Sequence, residues 1–183
     1  MKRWFLCLIL VAMIGFAAQP GYYPGALGYS WQYSNGEEQV LVSGDGGTLV
    51  LEHRFKGRAV FGHILRYTPK GVLLEGVVTN NRPSKYDSPL TLYPAPPLYL
   101  GQEWGGRAKI GGQATAMVAK VVRVEAIKVP AGRYNAYVIR TSTVVDAGGT
   151  SVVENYYVPG VGIVRYVSMD GDSIDLIKVN LAR

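Results

Sequence analysis

His53 and His63 are the only imidazoles in the 183-residue chain, so histidine chemistry is confined to that pair. Serine hydrolysis needs a nucleophile, a base and an orienting acid. No Gly-x-Ser-x-Gly occurs, and Ser43 lacks the first glycine of that pattern. If the stretches around Lys56-Gly57-Arg58 form a hairpin, Leu49, Leu51, His53 and Phe55 share one face, with Phe61, His63 and Leu65 across from them. The two rings are then diagonal neighbours, roughly 7–8 Å apart. A metal or a proton relay would need a third group, and none is close in sequence. The expectation is therefore of satisfied or surface-tipped histidines on a mostly apolar face.

The carboxylates are equally sparing. Glycoside cleavage needs two, but Glu37-Glu38 reads as part of a turn, where charges are solvated. Asp170-Gly171-Asp172 with Asp175 outlines a calcium loop without its ligand order, since Ile174 and Asp175 occupy the third-ligand and glycine places. A polar hairpin turn is the simpler reading. The single cysteine, Cys7, excludes a disulfide framework and a cysteine-built zinc site within one chain. Neither a dinucleotide-binding nor a Walker pattern occurs. No residue is assigned a catalytic, cofactor-binding or metal-ligating role; no cofactor is expected, and the chain reads as a non-enzyme.

The elements that would position these residues follow an amino-terminal segment of different character. Lys2 and Arg3 precede a 15-residue uncharged run, Trp4 to Ala18, which is short for a bilayer span of roughly 17–25 residues. Gly15 and Ala17 fit the −3 and −1 positions of a secretory signal cut after Ala17. The alternative is an uncleaved anchor. Cleavage leaves 166 residues, 17 basic and 13 acidic, without cysteine. The expected location is periplasmic or extracellular, with residues 18–183 forming a single β domain that has no stable membrane span. Outside the cytoplasm, ATP and nicotinamide chemistry is disfavoured.

Beyond Pro20, 48% apolar and 17% charged residues in the whole chain describe a globular protein. Its 23 glycines and 10 prolines break the sequence into short segments rich in β-branched and aromatic residues, the signature of strands. Strands are expected at Ser30 to Ser34, Gln39 to Ser43, Thr48 to Phe55, Ala59 to Tyr67 and Val72 to Val78. Further ones are expected at Gln113 to Val129, with a bulge near Lys120, and at Arg133 to Asp146, Thr150 to Val158, Ile163 to Met169 and Ser173 to Leu181. The expected fold is mainly β: a single antiparallel curved sheet or open half-barrel of about ten strands. Residues 113–125 would also suit a helix. Thr79 to Pro97, rich in Asn, Pro and Ser, reads as a long loop within one sheet or as a linker giving a two-part organisation around 79–97. Tyr23 to Trp31 echoes Pro97 to Trp104, each giving Leu, then Gly-x-x-Trp entering a strand. Such a match arises from a repeat or from chance likeness between two Trp-led strand starts.

Three segments occur in order: Tyr22-Tyr23-Pro24 with Gly28-x-x-Trp31-x-Tyr33, Val129-Pro130-Ala131-Gly132-Arg133-Tyr134-Asn135-Ala136, and Tyr156-Tyr157-Val158-Pro159-Gly160-Val161-Gly162. Together they resemble a group of exported bacterial β-proteins of uncharacterised function that carry a Tyr-Pro…Gly-x-x-Trp start and Val-Pro-Ala-Gly and Pro-Gly-Val-Gly turns. That group is similar in architecture to the LolA/LolB-type half-barrels that shelter lipoprotein acyl chains. The resemblance implies a hydrophobic ligand or acyl chain in the sheet concavity, although the chain lacks the helices that plug LolA-like barrels. Read on their own, these motifs are turn signals, with Pro and Gly where φ must be fixed or positive.

Residues 52–70 and 120–140 each carry five basic side chains and one acid. Adjoining, they would make a patch for anionic polymers or headgroups; apart, they are solvated faces. A transmembrane barrel needs ~9–11-residue strands with one clean apolar face. Many of the expected strands are shorter, and Arg140 and Lys178 interrupt the faces. The expected function is a non-catalytic binding or scaffolding role in the cell envelope, the partner an envelope component or hydrophobic ligand; nucleic acid is not expected. A carrier requires an apolar concavity, a scaffold a filled core, and an enzyme a cleft joining His53 or His63 to a carboxylate.

Overall fold

The computed structural model describes residues 21–146 and 148–181; the expected signal sequence lies outside the described residues. Twelve strands follow in chain order: β1 (Ser30–Tyr33), β2 (Glu37–Ser43), β3 (Leu49–Phe55), β4 (Arg58–Thr68), β5 (Gly71–Thr79), β6 (Arg82–Pro94), β7 (Glu103–Ile110), β8 (Gln113–Val129), β9 (Gly132–Val145), β10 (Gly149–Val158), β11 (Gly162–Ser168) and β12 (Ser173–Asn180). One antiparallel sheet runs β6-β5-β4-β3-β2-β1-β12-β11-β10-β9-β8-β7. Because β6 and β7 are also consecutive in sequence, that order is a circle, and the sheet is a nearly closed up-and-down barrel. Full closure is the way a β-protein removes exposed edges.

The mainly β, antiparallel expectation holds, with twelve strands where about ten were expected. The added strands are β6 and β7. Thr79 to Pro97 is chiefly a 13-residue strand, not a loop. Proline lacks an N–H and is confined to strands with a free side; β6 has a ladder partner only in β5, so Pro83, Pro89 and Pro94 are tolerated. Its ladder with β5 also slips twice, at Val72/Leu73 and between Leu74 and Gly76. Residues 113–125 are strand, and the expected bulge falls between Val121 and Arg123. Strand length does not argue against a membrane barrel, since β4, β6, β8, β9 and β10 each have ten or more residues. No helix among the described residues is long and apolar enough to cross a membrane.

Side chains close the seam between β6 and β7. The Lys109 amide donates to Asp87 Oδ1 at 2.8 Å, and Trp104 Nε1 donates to the Leu92 carbonyl at 3.0 Å. At the seam's end, the Leu98 amide donates to the Tyr22 hydroxyl (2.8 Å) and the Gly160 amide to the Tyr22 carbonyl (3.0 Å). Tyr22, Tyr23, Tyr93 and Tyr157 stack there with ring centres 4.9–6.2 Å apart. Tyr22, Tyr23 and Tyr157 thus pack against Tyr93 at that end.

The sequence echo is a structural repeat. Gly28 donates to the Leu41 carbonyl, Leu41 to the Tyr29 carbonyl, and Tyr29 to the Ala26 carbonyl; Gly101, Val121 and Gln102 do the same with Val121, Gln102 and Tyr99. Both glycines hold the left-handed conformation, φ 82° and 83°, and each turn leads into a six-strand half, β1–β6 or β7–β12. The two halves close into one sheet.

Candidate functional site

The register of β2 on β3 sets Gln39 opposite His53, and that of β3 on β4 sets Leu51 opposite His63. Residues two apart along a strand share a face. Glu37, Gln39, Leu51, His53 and His63 therefore fall on one face, and all of them line a cavity of about 660 Å³ at one end of the barrel interior.

Within it runs a chain of hydrogen bonds. His53 Nδ1 lies 2.6 Å from Glu37 Oε1, and His53 Nε2 lies 3.1 Å from His63 Nδ1, the ring centres being 5.0 Å apart. The diagonal placement is as expected, but the rings lean into contact. Gln39 Nε2 donates both to Glu37 Oε1 (2.9 Å) and to the Tyr166 hydroxyl (3.1 Å). Phe61 stands edge-on to His63, 4.8 Å between centres.

Glu37 corrects the sequence reading: it opens β2 instead of lying in a solvated turn, and its side chain is only 13% exposed. Its signal was parity with Gln39 and Leu41, hidden by starting the strand two residues late. Burial pushes the Glu37 carboxyl up, but the hydrogen bonds from His53 and Gln39 outweigh it and hold it below its ordinary value. Burial, helped by the neighbouring imidazole of His53, pushes His63 down to about 3.

The ionised Glu37 fixes the direction of the first bond, and the state of His53 sets the second. An ionised Glu37 only accepts, so His53 Nδ1 carries hydrogen. In the neutral ring His53 Nε2 is bare and accepts the Nδ1–H of His63. Neutral His63 is left with a bare Nε2, to which no described residue bonds. The relay therefore ends in a hydrogen-bond acceptor on a cavity wall.

The rest of the wall divides cleanly. Leu51, Leu92, Val153, Ile163 and Ile174 supply apolar surface, while Asp170 and Asp172 stand exposed at the rim. They belong to the β11–β12 turn, closed by Ser168 N–H to the Asp172 carbonyl at 2.9 Å, the polar hairpin turn expected. Ser168 lines the same cavity, its hydroxyl oxygen buried and without a hydrogen-bond partner. A narrower space of about 80 Å³ continues inward among Trp31, Tyr33, Tyr67 and Tyr157. Among the described residues, no group of three histidines, cysteines or carboxylates is arranged to hold a metal.

The basic stretches do not adjoin: β5, β6 and β7 separate β4 from β8. Four of their six arginines are engaged, Arg54 with Glu52, Arg66 with Glu75, and Arg123 and Arg140 with Glu154.

No protein-family model matches the chain, and no curated protein matches it. Two solved structures are similar to this chain over most of its length. One, from Bacteroides fragilis, is described as an exported protein with a YmcC-like fold; it is 11% identical with a TM-score of 0.47, over 88% of this chain and 99% of that one. The other, from Parabacteroides distasonis, is described as a lipoprotein; it is 13% identical with a TM-score of 0.41, over 89% of this chain and 100% of that one.

Proposed function

We propose that this protein is a non-catalytic, exported binding protein of the cell envelope, working as one β domain, that receives a small amphipathic molecule in the open end of its barrel. The observation that carries this is the cavity itself. About 660 Å³ lies in the range of small-molecule sites, which pair an apolar wall with a few convergent polar groups. Here the wall is Leu51, Leu92, Ile163 and Ile174, and the polar groups are His63, Asp170, Asp172 and Ser168. The start of the chain supports export: a short basic segment, an uncharged run of 15 residues and small residues before Ala18. The filled aromatic floor around Tyr93 and Tyr157 leaves room for a short tail, which favours a single small amphiphile over a long acyl chain.

Leu51→Trp fills the cavity from its wall. Titration of the wild-type chain with a fluorescent apolar probe such as 1-anilinonaphthalene-8-sulfonate, chased with medium-chain alcohols, is expected to show saturable, displaceable binding that Leu51→Trp reduces at least tenfold. Equal, non-displaceable binding by both proteins would sink the reading.

A second reading has one observation in its favour. Glu37–His53–His63 joins both imidazoles to a carboxylate, the arrangement an acid–base enzyme requires, with His63 Nε2 as the base. No serine or threonine hydroxyl bonds to either ring among the described residues, so nucleophilic catalysis has no activated nucleophile, and binding remains the reading the site supports best.

A further inference from the structure

The polar inventory of the cavity wall is one-sided. Three carboxylates (Glu37, Asp170 and Asp172) and two imidazoles line it, without one lysine or arginine. Yet across the whole chain basic residues outnumber acidic ones 19 to 13. Four uncommitted groups face the cavity. With His53 neutral, His63 Nε2 is an acceptor. Asp170 and Asp172 have acceptor-only carboxylates. Asn155 donates one Nδ2 hydrogen to Thr141 Oγ1 at 3.1 Å, which leaves its carbonyl and its second N–H free. A site whose charged side chains are carboxylates, with no lysine or arginine beside them, favours a ligand whose polar end is a cationic donor. An ammonium group donates three hydrogen bonds and accepts none, whereas a carboxylate or phosphate would meet like charge with no cation to offset it.

We infer that the ligand is an amphiphile headed by a cationic amine, its N–H donors directed to His63 Nε2 and the Asp170–Asp172 rim and its apolar body lying on Leu51, Leu92 and Ile174. This rests on the cavity being a ligand site, as proposed above, and adds the chemistry of the head group. The Glu37–His53 pair acts as the positioning element. By holding hydrogen on His53 Nδ1, it leaves the neutral ring's Nε2 to accept from His63 and the cavity end of the relay an acceptor.

The test compares three molecules with the same tail and different heads: dodecylamine, dodecanol and dodecanoate. Each is titrated below its micellar concentration into the full chain at pH 7 by calorimetry, with Leu51→Trp as the blocked control. The expected result is dodecylamine binding at least tenfold tighter than dodecanoate, with dodecanol between. Asp170→Asn with Asp172→Asn should shrink that preference at least threefold, weakening dodecylamine more than dodecanol, which also separates a lost head-group contact from misfolding. His63→Gln, checked for retained β circular dichroism, should weaken the amine more than the alcohol. Equal binding of amine and carboxylate, or tighter carboxylate, overturns the head-group inference and leaves the cavity reading standing. Absence of binding by all three, or binding that Leu51→Trp does not reduce, overturns both.

Discussion

A proton added to His53 would change what His63 offers four bonds away. With both His53 nitrogens carrying hydrogen, Nε2 donates to His63 Nδ1, and the hydrogen of His63 moves to Nε2, turning an acceptor into a donor. The groups packed around the pair, Glu37 from β2, Tyr93 from β6, Tyr166 from β11 and the rim carboxylates Asp170 and Asp172, include no cation. The same residues make stability depend on pH. In the unfolded chain His63 takes up a proton near 6.5, but in the fold only near 3. Stability from this group is therefore complete above about pH 6.5 and is lost as the pH falls toward 3, by about 1.4 kcal/mol per pH unit. Glu37, whose carboxyl is held below its ordinary value, adds its own loss as pH falls through its folded value. Urea unfolding at pH 6.5 and pH 5 is expected to show about 2 kcal/mol lost through His63, an upper figure because water in the cavity reaches the ring. His63→Gln should lose correspondingly less over the same interval; an unchanged slope would remove His63 from the account.

At the scale of elements, the paired Gly-x-x-Trp turns are the clearest device. Gly28 and Gly101 share φ values of 82° and 83° and the same three backbone hydrogen bonds, and a Cβ at either would meet nothing within 4 Å. Replacing either with alanine therefore costs only backbone strain, roughly 1–2 kcal/mol. Gly28→Ala and Gly101→Ala should lower stability by similar amounts in urea unfolding, and a much larger loss at one would mean the two turns are not equivalent. The tryptophans that follow have parted roles. Trp31 Nε1 donates to the Val161 carbonyl at 2.6 Å in the β10–β11 turn, whereas Trp104 spans the seam. The histidine pair was legible as a shared face because alternation along β3 and β4 is local. Glu37 was not, because its place depends on where β2 begins.

For the whole molecule, the decisive feature is closure. β6 and β7 meet through the Asp87–Lys109 and Trp104–Leu92 bonds and the stacked tyrosines at their end, so each half supplies the other's edge. Trp104→Phe keeps the ring's bulk but removes the N–H, leaving the Leu92 carbonyl without that donor at a cost of about 1 kcal/mol. Hydrogen exchange is expected to quicken along β6 and β7 while β3 and β4 keep their protection. Uniform quickening over all strands would show that the seam is not a separable weak line. Closure also gives the cavity its walls, since β2–β4 bring the relay and β10–β12 bring Asn155, Ser168 and the acidic rim from the opposite side of the sheet order.

The sequence by itself determined the antiparallel β character, ten of the twelve strands, the turn positions and the diagonal placement of the two imidazoles. All of these follow from alternation and turn chemistry within a few residues of each other. Only the tertiary structure decided that the stretch from Thr79 to Pro97 holds an edge strand, Arg82–Pro94, that the sheet nearly closes on itself, and that Glu37 orients His53 within a cavity whose far wall comes from residues more than a hundred positions from Glu37. A proline-rich stretch becomes a strand when its neighbour on one side supplies the ladder and the other side is left free. A carboxylate likewise becomes part of a site when register, a long-range property, sets it two residues from the partner of a histidine.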